Sequence, residues 1–522
     1  MNPTDERKPA GPVFYLAAAA APLLFGVHAL FYPFGRDQGI HATIAAALRD
    51  GHAVYRDVYN IKPPLTTAVH WLALELFGHN VHAIRALDVL LVMGCAALLA
   101  GIVLRLRQSR GGALGAAVGL PVIYYAQGYW YTAQTDTWAA FAVVAALWLL
   151  ASAWRRGSGA SRAALIFGAG LLMGVAFGLK YTVAAAGLVI FAPALCNTSE
   201  ARFYRTDLLA FVAGGAVFVA LLVSLLAVTG VMSAFVEIQL YLGGYVAGGS
   251  TSPVLFLLRP LDILIQAESA SVLVIVGAAL VVRGLFARRA SLFAVATLLV
   301  LLGFWMSGAA QGKAIPYHFG PMIIAYALFF GVAVDFMLRA VRQRTGVMRY
   351  ALATGLALIV LATPGFKRNL SLAVDVGRGT TLRAQWAKYP GDRDFSFVET
   401  LAFSDVLTGY RAARAPFFVW GYETTLYFLQ DASPAYRYPY AWPFAVTYYD
   451  GRYTDDLLGR LRQAPPAHVV VQKGDATPMV TGRNLDSWAI LALHPKIEAF
   501  LTGRYAKVED TPRFELWQRT DD

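Results

Sequence analysis

HAIRALDVLLVMGCAALLAGIVLRLRQSR, residues 82–110, decides the fold class. After Asp88 the run is apolar as far as Leu104, and the stretch 82–104 is long enough as a helix to cross the hydrocarbon core of a bilayer. Arg105, Arg107 and Arg110 close it, as expected of a span that ends on the cytoplasmic side. Arg85 and Asp88, three apart on one helix, read most simply as an intrahelical pair. Cys95 lies inside this run and Cys196 near the end of another. With no metal-type spacing between them, no disulfide or zinc site is implied.

Outward from this segment the same pattern recurs at 12–32, 111–127, 132–153, 161–179, 181–196, 207–230, 268–283, 290–309, 316–338 and 347–363, which makes about eleven spans. The run at 181–196 is short for a span. Gly and Ala dominate 164–187, which permits close helix contact in lipid. The first run is followed by YPFGRDQG, with no small-residue cleavage site, so it reads as an uncleaved span. Composition agrees: 57% hydrophobic and 15% charged residues cannot clothe a water-soluble protein of 522 residues. The net charge of +12 and pI near 9.6 do not point to nucleic acid, because the arginines sit between apolar runs without the aromatic interleaving of a strand-binding groove.

Alternate connections carry Arg7 and Lys8; Arg105, Arg107 and Arg110; Arg155, Arg156 and Arg162; Arg202 and Arg205; Arg283, Arg288 and Arg289; and Arg339, Arg342, Arg344 and Arg349. All fall on one side of an eleven-span chain, which places the N-terminus in the cytoplasm and the C-terminal region outside. The outer connections are then 33–81, 231–267 (with Tyr241, Tyr245 and a GGSTS turn at 248–252) and the short GAAQGKAIPYHFGP at 308–321. In the first, stretches 39–50 and 64–77 are amphipathic and are expected to lie along the membrane surface. From about residue 364 charge, Pro and Gly rise and globular patterning begins. PFFVWG (416–421) and AHVVVQK (467–473) read as strands; 454–463 and 486–501 read as helices. The expected organisation is a membrane domain, 1–363, and an extracytoplasmic α/β domain, 364–522.

Chemistry concentrates in residues 34–78, FGRDQGIHATIAAALRDGHAVYRDVYNIKPPLTTAVHWLALELFG. Asp37, at the lipid boundary, is a solvated loop residue, an ion-pair partner of Arg36 or another base, or a catalytic carboxylate. Lys62 is held out of helical geometry by Pro63, well placed to meet a phosphate; snorkelling to headgroups is the bland alternative. Asp136, in YWYTAQTDTW (129–138), either belongs to a site or, with Thr135, caps the following span. Lys313, Tyr317 and His318 cluster before Pro321, as ligands or as interfacial anchors. Lys180, at another outer span end, reads as a snorkelling lysine. Trp420, Tyr422 and Glu423 could face a sugar, but a packed α/β core explains them as well.

The ordered series of Asp37 after the first span, YRD at 55–57 and KPPL at 62–65 opening a helix that ends in LFG resembles the protein-O-mannosyltransferase-like branch of the GT-C glycosyltransferases. That branch includes aminoarabinose transferases acting on lipid A and rhizobial lipopolysaccharide galacturonosyltransferases. The resemblance implies a sugar transferase of the bacterial inner membrane. Its donor is a polyprenyl-phosphate sugar, and its acceptor is lipopolysaccharide, another glycan, a lipid or a protein of the cell envelope. Asp37 corresponds to the catalytic base and Lys62 to the contact for the carrier phosphate. Asp136 corresponds to a further active-site acid, and Lys313 or His318 to a second phosphate contact. Asp57 and Tyr317 complete the candidate substrate-binding set. Relatives often carry a second acid after the first; Gln38 stands there in this chain, so the resemblance implies no definite cofactor and leaves a divalent metal open. No Gly-rich phosphate loop or Asp-x-Asp motif occurs in a cytoplasmic segment, in keeping with a lipid-linked donor. The rival readings are a transporter or flippase of a lipid-linked glycan, and a non-catalytic scaffold.

Overall fold

The computed structural model describes residues 10–196, 202–247, 252–287, 291–389, 391–392, 394–411 and 415–520. Arg7, Lys8, Arg288, Arg289 and most of the GGSTS turn lie outside the described residues. The chain forms two compact units, neither continuous in sequence. One gathers Met1–Tyr32, Arg85–Leu222 and Thr251–Thr380; the other gathers Pro33–Ile84, Val223–Ser250 and Thr381–Asp522.

Every apolar run expected to be a span is helical over its described residues, most of them in the first unit. Among the described residues seven helices are long and apolar enough to cross a membrane: Pro12–Phe31, His82–Arg107, Thr135–Trp154, Ala160–Leu179, Arg205–Val228, Leu292–Ala310 and Pro316–Gln343. Arg110–Ala126 and Ala270–Phe286 are shorter, at 17 residues each. Tyr181–Phe191 is wound as a 3-10 helix before one α-helical turn, which explains the weak span signal there. Gly346–Leu361 bends by 66° into Pro364–Gly377; Pro364 has no N–H to continue the first helix. The Gly-rich stretch does what its composition suggests. A Cβ on Gly170 would lie 2.0 Å from Phe211 O and one on Gly214 2.1 Å from Phe167 O, so the Ala160–Leu179 and Arg205–Val228 helices meet backbone to backbone.

The arginines expected on the cytoplasmic side bind one another's helix ends. Arg155 donates to Arg105 O (3.0 Å), Arg162 to Arg156 O and Arg202 O (2.9 and 2.8 Å), and Arg107 and Arg339 both pair with Asp335. Arg162 also makes a buried, forked pair with Asp207.

The second unit holds a four-stranded sheet. Its strands are β1 (Phe417–Trp420), β2 (His468–Gln472), β3 (Tyr505–Asp510) and β4 (Phe514–Arg519), in the order β1-β2-β4-β3. β1 and β2 run parallel and the other pairs antiparallel, with Val419 opposite Val470 and Val470 opposite Leu516. β1 and β2 are buried along their whole length, as their unbroken apolar runs predict. The helix Thr454–Gln463 forms as expected. The expected helix at 486–501 is two, Ser487–Ala492 and Pro495–Arg504, divided at Pro495. Trp420 and Tyr422 are core residues; Trp420 Nε1 donates to Ser487 O at 2.8 Å.

The first long loop contributes two helices to this unit. Pro64–Phe77 exposes Trp71, Leu72, Leu76 and Phe77, the apolar face expected of an interfacial helix. Arg36–Arg49 departs from that expectation. Rich in Ala, Gly and Thr, it is mostly buried inside the unit, where small side chains allow close packing.

Candidate functional site

In the second unit Gly35 is extended and the helix begins at Arg36, so Asp37 sits in its first turn, at the positive end of the helix dipole. Arg36 does not neutralise it by pairing: Nη2 lies 2.9 Å from Asp394 Oδ2 and donates to Asp394 O at 2.6 Å. Asp37 Oδ2 is buried and has no hydrogen-bond partner among the described residues. Tyr440 lies within electrostatic range; burial raises its hydroxyl pKa, the Ile61 N–H opposes the rise, and the Asp37 charge adds to it.

Lys62 is fixed through its main chain. Its N–H donates to Asn60 Oδ1 (3.0 Å), its carbonyl accepts from the Tyr55 hydroxyl (2.8 Å), and Asn60 Nδ2 reaches Thr67 Oγ1 (3.0 Å) in the next helix. Tyr55 takes a left-handed φ of 77° to make this turn, and Tyr59 N–H bonds Arg437 O at 2.6 Å. The half-buried ammonium has no acidic partner among the described residues. Asp57 is differently placed. It accepts from Arg56 (2.9 and 3.1 Å) and from Ala53 N–H (2.8 Å), bonds that hold its pKa below the usual carboxylate range and close the loop.

In the first unit Asp136 occupies the first turn of Thr135–Trp154 and is fully buried. Neither Thr135 nor Asp136 is the cap; that position falls to Gln134, whose side chain makes no capping bond. Asp136 Oδ1 instead meets Lys180 Nζ at 3.2 Å and Gln311 Nε2 at 3.1 Å. Lys180 is therefore no snorkelling lysine; it turns inward to a buried acid. Thr182 and Ser307 hydroxyls bond at 2.9 Å beside it. Gln311 has no charge or motif to single it out in the sequence; its place directly after a span is the one signal it gives. Lys313 is buried, which lowers its pKa. Its loop is held by Arg259, whose Nε donates to Ala314 O at 2.8 Å. His318 is buried edge-on to Tyr317, with ring centroids 4.7 Å apart. Tyr317 lines a small cleft with Gln127, Tyr131, Asp262 and Gln266. Arg85 and Asp88 each find partners beyond one another. Arg85 donates to Thr132 and Tyr129 carbonyls, and Asp88 accepts from Tyr124 Oη (2.7 Å) and Trp138 Nε1 (2.8 Å).

The structure thus brings Asp37 and Lys62 into one unit, and Asp136, Lys313, Tyr317 and His318 into the other. Among the described residues no group of three His, Cys, Asp or Glu is placed to hold a metal ion. Cys95 and Cys196 are free thiols.

Residues 61–228 match the family model of dolichyl-phosphate-mannose-protein mannosyltransferases. The match takes in KPPL and Asp136 but starts after Asp37. No curated protein matches the chain in sequence. Among solved structures, ArnT from Cupriavidus metallidurans bound to undecaprenyl phosphate is 14% identical. It superposes with a TM-score of 0.60 over 97% of this chain and 98% of that one. Its apo form gives 15% identity and 0.61 over 96% and 97%. An Archaeoglobus fulgidus oligosaccharyltransferase tethered to an acceptor peptide gives 11% and 0.52 over 98% and 73%. The chain is a multi-pass membrane protein with the GT-C glycosyltransferase fold, and its resemblance to the protein-mannosyltransferase-like branch holds in both sequence and structure.

Proposed function

We propose that the protein transfers a sugar from a polyprenyl-phosphate carrier to an acceptor at the outer face of the membrane, with inversion. The observation that carries this reading is the pair Asp37 and Lys62 on one stretch of one unit: among the described residues, a buried carboxylate oxygen without a hydrogen-bond partner and an ammonium without an acid. The fold shared with a protein solved with undecaprenyl phosphate supports the donor class. In the reaction the acceptor oxygen bonds to the anomeric carbon as the bond from that carbon to the phosphate oxygen breaks. Asp37 takes the acceptor proton as general base. Lys62 meets the negative charge that grows on the departing lipid phosphate. Asp136, bound to Lys180 and Gln311 within the first unit, orients its own loop rather than exchanging protons.

The positive-inside pattern puts this chemistry outside the cytoplasm. The first long loop assigned to that side, the first half of the second (231–250) and residues 381–522 belong to one unit, which supports placing the C-terminal region there too. We read 364–522 as the extracytoplasmic part. A flippase accounts for the spans but gives no use for a buried carboxylate oxygen that lacks a hydrogen bond among the described residues, in the first turn of a helix. Mass analysis of envelope glycans with and without the protein identifies the sugar and acceptor. Vesicle transfer with the matching undecaprenyl-phosphate sugar should then be lost in Asp37→Asn; retained turnover removes Asp37 from its role.

A further inference from the structure

The helix that carries Asp37 is attached to the sheet-bearing part of its unit along one stripe, at positions 36, 39 and 43. These are spaced i, i+3, i+7 and fall within about 60° of one another on a helix. All three meet the same turn, Tyr422–Thr425, which follows β1. Arg36 lies with its guanidinium 5.5 Å from the Tyr422 ring centre, within the field of Glu423 and Asp475 as well as its partner Asp394. At Gly39 a Cβ would fall 2.0 Å from Thr425 Oγ1 and 3.2 Å from Thr425 Cβ. Thr43 Oγ1 donates to Thr424 O at 2.8 Å. Behind the turn, Asp475 is fixed by the Ser487 N–H (2.7 Å) and hydroxyl (2.6 Å), so the anchor is itself rigid. Asp37, one residue round from Arg36, points roughly 100° or more away from this stripe.

We infer that the Tyr422–Thr425 turn is a positioning element: it sets the rotation and height of the Arg36–Arg49 helix and thereby aims Asp37, with Gly39 the residue whose missing side chain allows the fit. This rests on the reading of Asp37 as the base. It gives the C-terminal region a defined part in the reaction, and it explains why a helix with the composition of a surface segment is buried. Thr425 is β-branched and buried, so it cannot swing aside for a new methyl group without displacing core atoms. The helix must move instead, and a displacement near 1 Å at a reacting group costs about 100-fold in rate.

The test uses full-length protein in vesicles, with the undecaprenyl-phosphate sugar that the wild type consumes and with undecaprenyl phosphate alone as binding probe. Gly39→Ala should lower kcat roughly 10- to 100-fold, leave undecaprenyl phosphate binding unchanged, and shift the acid limb of the pH–rate profile. Adding Thr425→Gly to Gly39→Ala should restore most of the lost turnover by reopening the gap. Thr43→Val, which keeps the shape and removes one hydrogen bond, should fold normally and lose a few-fold in kcat. Wild-type turnover in Gly39→Ala overturns the inference, as does a parallel loss of turnover and probe binding, or failure of Thr425→Gly to restore. If Asp37→Asn is fully active, the reading of Asp37 itself fails, whatever Gly39→Ala does. If Asp37→Asn is dead while Gly39→Ala is normal, only the positioning role falls.

Discussion

Replacing Lys180 by Met tests the first unit at its most exposed assumption, that a fully buried carboxylate depends on one lysine. Asp136 is 0% exposed and meets Lys180 Nζ at 3.2 Å and Gln311 Nε2 at 3.1 Å. Removing one member of a buried pair costs about 3–5 kcal/mol, because the other charge stays behind unpaired. The Gln311 bond survives, and the helix N-terminus returns about 0.5 kcal/mol, so a net loss of about 3 kcal/mol is expected. Asp136→Asn added to Lys180→Met removes the stranded charge and should recover about 2 kcal/mol, the sign of a coupled pair. The chain supplies its own reporter. Cys95 is a free thiol buried in the His82–Arg107 helix, so a thiol-reactive dye follows unfolding of detergent-purified protein once Cys196 is changed to Ser. Lys180→Met should melt several degrees below wild type and the double variant between the two. If Lys180→Met melts with wild type, or the double variant melts below it, Asp136 does not rely on Lys180.

Lys62→Gln keeps the loop, whose bonds run through the main chain, and should weaken undecaprenyl phosphate binding about 10- to 100-fold, the worth of one charge-assisted bond; titration at rising salt should show the difference shrinking. Arg162→Met strands Asp207 and releases the Arg156 and Arg202 carbonyls, so the same thiol-dye melt should fall by an amount comparable to Lys180→Met. Burial pushes Glu423 up to about 7, against the pull of the Thr425 hydroxyl and Arg36. Because the folded form holds this proton more tightly, its contribution is full below pH 4.5 and is lost as pH rises through 7, about 3 kcal/mol in all. Melting curves of Glu423→Gln should therefore lack that decline and exceed wild type at pH 8; an unchanged pH slope refutes the assignment.

Much of the membrane unit was legible because lipid imposes one rule, helices with their polar groups satisfied within the segment, and apolar runs announce it. The runs at 82–104 and 316–338 needed no tertiary information. Where the sequence misled, tertiary pairing won. Lys180 looks like a snorkelling residue in its own helix, and nothing local reveals that Asp136 lies across from it. The Arg36–Arg49 helix has the alternation of a surface segment, yet Gly39 and Thr43 are matched to residues nearly four hundred positions away, which no local pattern encodes. Asp37 and Lys62 stood out because charge at the lipid boundary is costly without use. Glu423 was visible, but not its burial beside Arg36.

The second unit draws on the beginning, middle and end of the chain, and this has a temporal consequence. The helix with Asp37 leaves the ribosome roughly 330 residues before Thr381, a gap of ~20–60 s at ordinary synthesis rates. Throughout that interval its partner turn at 422–425 does not yet exist. A nascent chain can form its apolar helices early but cannot seat the Arg36–Arg49 helix until residues 422–425 have been made, so completion of the second unit waits for the last part of translation.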